Sequence, residues 1–185
     1  MKKVAAILLA ICLVLSLCAC GSKASGVTIE NFESQVIKEL FGEETLSVTE
    51  NDSGFSFEYK GSVLLSDLTI SGAADKNKNI TEIKVEAVDG LNIDYFNSLT
   101  AEQFLKDVGD VNNVPINKLA GDMLLWDCSF IVKTCSSEQS AEDQLYGLDL
   151  LLAARNSPQE KDGWTYSIAT NKNAETITFT AIYGK

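Results

Sequence analysis

Any chemistry in this chain has to be done without an imidazole, because its 185 residues include no histidine. That removes Ser-His-Asp and Cys-His nucleophile pairs, histidine general bases and zinc sites built on His. The other routes to an activated serine are missing too, since neither Ser-x-x-Lys nor Gly-x-Ser-x-Gly occurs. The glycines are dispersed singly, so no phosphate cradle of converging backbone N–H groups is encoded. What remains is carboxylate chemistry of the kind glycosidases perform with two acids about 5 to 10 Å apart. With 26 acidic residues, some pair meets that spacing by chance, and spacing without a cleft identifies none. No catalytic, cofactor-binding or metal-ligating residue is assigned, and no cofactor is expected.

Three constellations carry a chemical suggestion. Asp75, Asn77, Asn79 and Glu86 fall at positions 1, 3, 5 and 12 of a calcium-loop spacing. Position six is Ile80 where the sharp turn wants glycine, Lys76 and Lys78 intrude, and Glu86 belongs to a strand pattern, so the stretch reads as a solvated turn. Asp107, Asp110, Asn112 and Asn113 form an oxygen-rich cluster of the sort loops use to satisfy their own backbone. On the closing hairpin, Thr176, Thr178 and Thr180 line one strand face and Trp164 follows Asp162-Gly163. These four make the candidate ligand face, with hydroxyls to hydrogen-bond and an indole to stack on a sugar. The plainer reading is that Thr suits any exposed strand face and that a large aromatic on an alternating strand is core.

The elements that must position these residues follow from hydrophobic spacing. Val27 to Phe41 sets Ile29, Phe32, Val36, Ile37 and Leu40 at helical intervals, with Thr28 as N-cap and Val27 and Phe32 as a staple. Leu46 to Glu50, then Phe55, Phe57 and Tyr59, then Leu64, Ser66, Leu68 and Ile70, then Ile83, Val85 and Ala87 predict a meander of three or four strands. Thr100 caps a second helix with Gln103 three residues on. Val111 to Ala120, with Pro115, is expected to be irregular or an edge strand. Met123 to Thr134, with Leu124, Trp126, Cys128, Phe130 and Val132 all apolar, predicts a central strand. Cys128 and Cys135 would then point to opposite faces too far apart to bridge. Ser140 is expected to cap a third helix burying Leu145, Leu148, Leu151 and Leu152, stopped before Pro158. Trp164, Tyr166 and Ile168 pair with Ile177, Phe179, Ala181 and Tyr183 as a final hairpin. The fold class is α+β, a mainly antiparallel sheet with about three helices packed on one face and a polar face left open.

The first residues set the location. Lys2 and Lys3 precede an apolar run, Val4 to Leu17, that is too short to span a bilayer, which needs roughly 20 residues. Leu17-Cys18-Ala19-Cys20 resembles the lipobox of bacterial lipoproteins, with Leu at −3, a small residue at −1 and the invariant Cys. Cutting before Cys18 instead would put bulky Leu17 at −1. The resemblance covers this segment only. It implies a signal peptide over 1–19 and a diacylated Cys20; the Gly- and Ser-rich composition then gives a flexible tether over 20–26, and the remaining length fits a single domain over 27–185. Ordinary secretory cleavage after Ser22-Lys23-Ala24 is the alternative and would release a soluble chain. Two acyl chains anchor stably where one is marginal.

Loss of Lys2 and Lys3 takes the charge balance from 15 basic residues to 13 against 26 acidic ones. Phosphate affinity rests on Lys and Arg displacing counterions, so nucleic acid is excluded as a partner. The expected function is a lipid-anchored, extracytoplasmic binding or interaction module on the outer face of the cell membrane, meeting an envelope protein or glycan and catalysing nothing. The alternatives are a small exported hydrolase using paired carboxylates and a structural envelope protein.

Overall fold

Alternation in the strands and 3.6-residue spacing in the helices put apolar side chains on matching surfaces, and the architecture is what buries them. The computed structural model describes residues 24–41, 47–51, 53–60, 67–136 and 147–184. The helical run α1 begins as Ile29–Phe32, passes through a π-helical stretch, Glu33–Ile37, and ends as Lys38–Phe41. Thr28 caps it, its Oγ1 accepting from the N–H of Asn31 at 3.2 Å, and Phe32, Val36 and Ile37 are buried. Strands β1 (Ser47–Asn51), β2 (Gly54–Lys60), β3 (Asp67–Ala74) and β4 (Ile80–Val88) follow as an antiparallel meander. Helices α2 (Ile93–Ser98), α3 (Ala101–Gly109), α4 (Ile116–Cys135) and α5 (Leu148–Ala154) intervene, with a 3-10 turn at Val111–Asn113. The short edge strand β5 (Gln159–Lys161), β6 (Trp164–Asn171) and β7 (Thr176–Tyr183) complete a seven-stranded sheet in the order β1-β2-β3-β4-β7-β6-β5.

Register makes the two faces of the sheet chemically distinct. One row crosses five strands as Phe57, Ile70, Val85, Phe179 and Ile168, and the next as Phe55, Gly72, Ile83, Ala181 and Tyr166. Apart from Gly72 these side chains are all buried, and they share one core cluster with Phe32, Phe96, Phe104, Leu124, Leu125 and Leu151 of the helices. Gly72 is required where it stands. A Cβ there would lie 2.2 Å from the carbonyl oxygen of Glu82 and 2.6 Å from the Phe55 ring. The intervening rows, Ser56-Ser71-Lys84-Thr180-Ser167 and Glu58-Thr69-Glu86-Thr178-Ala169, face away from the core.

The expected α+β class with an antiparallel sheet holds, the Thr28 and Thr100 caps are in place, and the final hairpin forms in the expected pairing. Three expectations on individual elements need correction. Met123 to Thr134 is not a strand but the body of α4, and Val111 to Ala120 is a 3-10 turn followed by that helix's first residues. The buried positions Leu124, Leu125, Cys128, Ser129, Ile131, Val132 and Cys135 recur at helical spacing. Alternation at the even positions was real but coincided with apolar Leu125 and Ile131 between them, and twenty residues is far beyond ordinary strand length. Among the described residues five helical runs stand against the expected three, because α2 carries no strong sequence signal and α4 has an apolar pattern that also fits a strand. Helix α5 ends at Ala154, short of Pro158; Ser140 and Leu145, Leu46, Leu64 and Ser66, and the signal peptide and Cys20 lie outside the described residues.

Cys128 and Cys135 are both buried and free. Seven residues of helix are two turns, so the thiols share a face about 10.5 Å apart along the axis. That exceeds the roughly 7 Å a disulfide tolerates between Cα atoms. The absence of a bridge was expected for a strand and is imposed by a helix.

Candidate functional site

The two ends of the sheet are built differently. At one end the chain enters the fold: Ile80 donates its N–H to the Val27 carbonyl at 2.8 Å, Ile29 donates to that of Lys78 at 3.2 Å, and Thr28 bridges Asn79. The β3–β4 turn lies here, and so does the β5–β6 turn, because Trp164 pairs with Tyr183 and Glu82 with Ile182. The opposite end holds Val88, Asn171 and Thr176, which pair with one another. Helix α4, about 30 Å long at 1.5 Å per residue, runs between them. Its start is tied to the far end by the N–H of Asn92 on the Asn117 carbonyl at 3.0 Å, and Ser136 just past its end donates to Asp162 Oδ2 at 2.7 Å.

At the far end, α2, α3 and the first turns of α4 meet around two carboxyl groups. Asn92 caps α2 by accepting from the N–H of Tyr95 at 2.9 Å, which aims the phenol toward α3 and α4. Tyr95 Oη donates to Asp107 Oδ2, and Asp122 Oδ1 and Oδ2 lie 3.3 and 3.4 Å from the same oxygen. Gln103, one turn before Asp107, donates Nε2 to Asp107 Oδ1 at 2.6 Å. Asp107 is buried and Asp122 fully so. Burial, and then the negative charge of Asp107, push the Asp122 carboxyl up to about 7, against smaller opposing effects of Tyr95 and Lys118. Burial and hydrogen bonding to Asp107 hold the Tyr95 hydroxyl protonated far above its ordinary range. The Lys118 ammonium stands 4.8 Å over the Tyr95 ring centroid.

A cleft of about 330 Å³ opens beside this cluster, with Gln103, Lys106, Asp107, Asp110, Pro115 and Lys118 on its walls. Asp107 reaches it and Asp122 does not. The three exposed large hydrophobics among the described residues are Leu105, Val111 and Ile116, on the consecutive elements that form the cleft. At the C-terminus of α2, Arg155, the residue just past α5, donates to the Phe96 carbonyl, to that of Leu99 at 2.6 Å and to that of Leu152 at 3.2 Å. The Phe96 carbonyl accepts from the Leu99 N–H as well, at 3.4 Å, and together these bonds serve the α2 C-terminus and fix the helix that carries Tyr95.

The residues singled out from sequence are distributed as follows. Trp164 is not a platform: its ring is fully buried, packed edge-on to Tyr183 at 5.3 Å between centroids, because its strand position faces the core. Thr176, Thr178 and Thr180 stand half-buried on the outer face, with Thr180 between Lys84 and Ser167 and Thr178 between Glu86 and Ala169. The structure does not bring Trp164 and the three threonines together on one face. Asp75 spends its carboxylate on its own turn, accepting from the N–H groups of Asn77 and Asn79 at 2.8 and 2.9 Å, and these bonds, Asn79's side chain first, hold its pKa below the usual range. Glu86 pairs with Lys84 at 2.6 Å. Of the Asp107 cluster, Asn113 bonds Asp110 at 2.8 Å while Asp107 turns inward. Tyr95 and Asp122 were missed. The sequence signal for Asp122 was a carboxylate set inside the apolar run Leu119 to Leu125. No family model, curated protein or solved structure matches the chain.

Proposed function

We propose that this chain is a lipoprotein held at the outer face of the cell membrane by a diacylglyceryl Cys20, and that it is an interaction module binding another envelope component through the end of the domain remote from its anchor. The observation that carries the binding surface is the cleft of about 330 Å³ at this end, built on elements that also hold the exposed large hydrophobics Leu105, Val111 and Ile116. The partner class is protein. The apolar contacts on offer are aliphatic, and the one aromatic considered for stacking on a glycan, Trp164, is buried.

Location and geometry support each other in this reading. The fold begins at Val27, beside the β3–β4 turn, seven residues after Cys20, so that end sits near the bilayer and the cleft faces outward. Confinement within a few nanometres of the membrane raises effective concentration, so a weak contact with a neighbouring envelope protein is occupied. The low count of basic residues argues against nucleic acid and against contact with anionic headgroups.

Among the described residues a carboxylate hydrolase would use the same cluster, where Asp107 and Asp122 meet across Tyr95. Glycoside hydrolysis needs both carboxyl groups flanking the scissile bond. Here only Asp107 reaches the cleft, while Asp122 is sealed behind Tyr95. Binding is therefore the reading the geometry supports best. The test is site-specific photocrosslinking in intact cells, with the reporter at Leu105, at Ile116 and, on the outer sheet face, at Thr178. One discrete adduct from positions 105 and 116, absent from 178 and lost from position 105 when Ile116 is changed to Ser, is expected. Adducts that are equal at all three positions, or none, would end this reading.

A further inference from the structure

The junction of α2, α3 and α4 is short of one proton donor. Tyr95 has a single hydroxyl hydrogen, and it is engaged by Asp107, which also takes a hydrogen bond from Gln103. Asp122 lies fully buried, with both its oxygens facing that same phenolic oxygen at 3.3 and 3.4 Å. An ionised Asp122 would have acceptors opposed to a hydrogen already given away, beside a second carboxylate. A neutral Asp122 instead donates its own O–H to Tyr95 Oη, and the chain closes as Asp122 O–H to Tyr95 O–H to the Asp107 carboxylate. Every hydrogen then has one acceptor. Two acids that share a buried site cannot both ionise cheaply.

We propose that this chain of hydrogen bonds is a pH-operated latch, in which the proton on Asp122 locks α2, α3 and α4 together and its loss loosens them. The groups acting on Asp122 are Tyr95 from α2, Asp107 from α3 and Lys118 from one turn earlier on α4. Lys106 and Asp110 flank Asp107 on the cleft side. At the C-terminus of α2, Arg155, just past α5, is committed to the Phe96 and Leu99 carbonyls. Lys118 is the cation that acts on Asp122, and it stands on the ring face of Tyr95, 4.8 Å from the ring centroid.

The sign follows from linkage. A carboxyl that binds its proton more tightly when the helices are closed than when they are open favours the closed form at low pH. As pH rises from the open-state value, near 4, to the closed-state value, about 7, the open form sheds the proton first and opening becomes easier. Above that the preference is constant. The stabilisation is thus present in acid and spent by mildly alkaline pH, opposite in sense to a salt-bridged Asp. Between pH 5.5 and 8.5 the open fraction of these helices should rise on the order of tenfold.

The experiment uses the full-length protein in detergent. Hydrogen exchange of peptides covering residues 93–125, corrected for the intrinsic pH dependence of exchange, is compared at pH 5.5 and 8.5 for wild type, Asp122→Asn and Tyr95→Phe. Wild type should lose protection at pH 8.5, while peptides from β6 and β7 should not. Asp122→Asn, whose amide donates at every pH, should keep protection at both. Tyr95→Phe, which breaks the chain, should be less protected than wild type at pH 5.5. Carboxyl carbon NMR supplies a readout independent of folding: two Asp resonances, those of Asp122 and of Asp127, which burial also pushes up to about 7, should titrate near pH 7 in wild type, and one of the two should vanish in Asp122→Asn. Equal protection of wild type at the two pH values, the same loss in Asp122→Asn, or titration of every Asp below pH 5 would overturn the latch.

Discussion

Replacing Arg155 by Met isolates what the guanidinium does, because the methionine stem can still cover Phe96, over whose ring the guanidinium carbon sits at 5.7 Å. Lost are the bonds to the carbonyls of Phe96 and Leu99, which close the C-terminal turn of α2, and the weaker one to Leu152. A hydrogen bond from a charged donor contributes about 1.5 to 3 kcal/mol, and an orphaned buried acceptor costs about 1 to 3 kcal/mol. The Leu99 carbonyl loses its charged donor while that of Phe96 keeps the Leu99 N–H at 3.4 Å, which sets an upper figure of roughly 5 kcal/mol. Two effects reduce it. Arg155 is half-buried, and burial already holds its pKa below the ordinary value, so removing the charge recovers part of that desolvation; water can also reach a carbonyl once the side chain is shortened. The net loss should be about 2 to 3 kcal/mol, or roughly 5 to 10 °C in Tm for a domain of this size. Arg155→Lys should recover less than half of it, since one ammonium cannot serve two carbonyls at guanidinium spacing. Urea denaturation followed by circular dichroism reads both variants. A loss under about 0.5 kcal/mol for Arg155→Met, or full rescue by Lys, would refute the claim that this fork holds α2 in place.

Gly72→Val should abolish soluble expression or cost more than about 3 kcal/mol, because its Cβ cannot avoid the Glu82 carbonyl oxygen at 2.2 Å; near-normal stability would mean that β3 and β4 pair in another register. Cys128 and Cys135 should resist a thiol reagent in the folded protein, since burial pushes both thiols up, and both should react after denaturation without reduction. A mass count of fewer than two labels on the denatured, lipid-bearing chain would contradict the helical placement of these residues.

What the sequence revealed and what it hid divide along a physical line. The β2–β4 meander and the β6–β7 hairpin were legible because alternation is a period-two signal that a sheet with one buried face must carry. Thr28 and Thr100 were legible as caps because a hydroxyl beside orphan N–H groups is a local event. Helix α4 was misread because it is buried on much of its circumference, so its apolar residues fill both templates and only length separates them. Trp164 shows the same dependence on context: its residue type suggested a platform, and its facing put it in the core. The cluster of Tyr95, Asp107 and Asp122 could not be assembled from the sequence, since its members lie on three helices, one of them unforeseen. Asp107 was noticed as part of a loop cluster, but Asp110 and Asn113 stay outside while it turns in. Asp122 alone left a trace, as a charge inside an apolar run.

The claim on which location and orientation both rest is that Cys20 carries the anchor, and mass spectrometry of the N-terminal tryptic peptide from membrane-extracted protein tests it directly. Cleavage after Lys23 should give Cys20-Gly21-Ser22-Lys23 bearing a diacylglyceryl group on the thiol. An unmodified N-terminus at Ser25, or a peptide still carrying residues before Cys20, would contradict it.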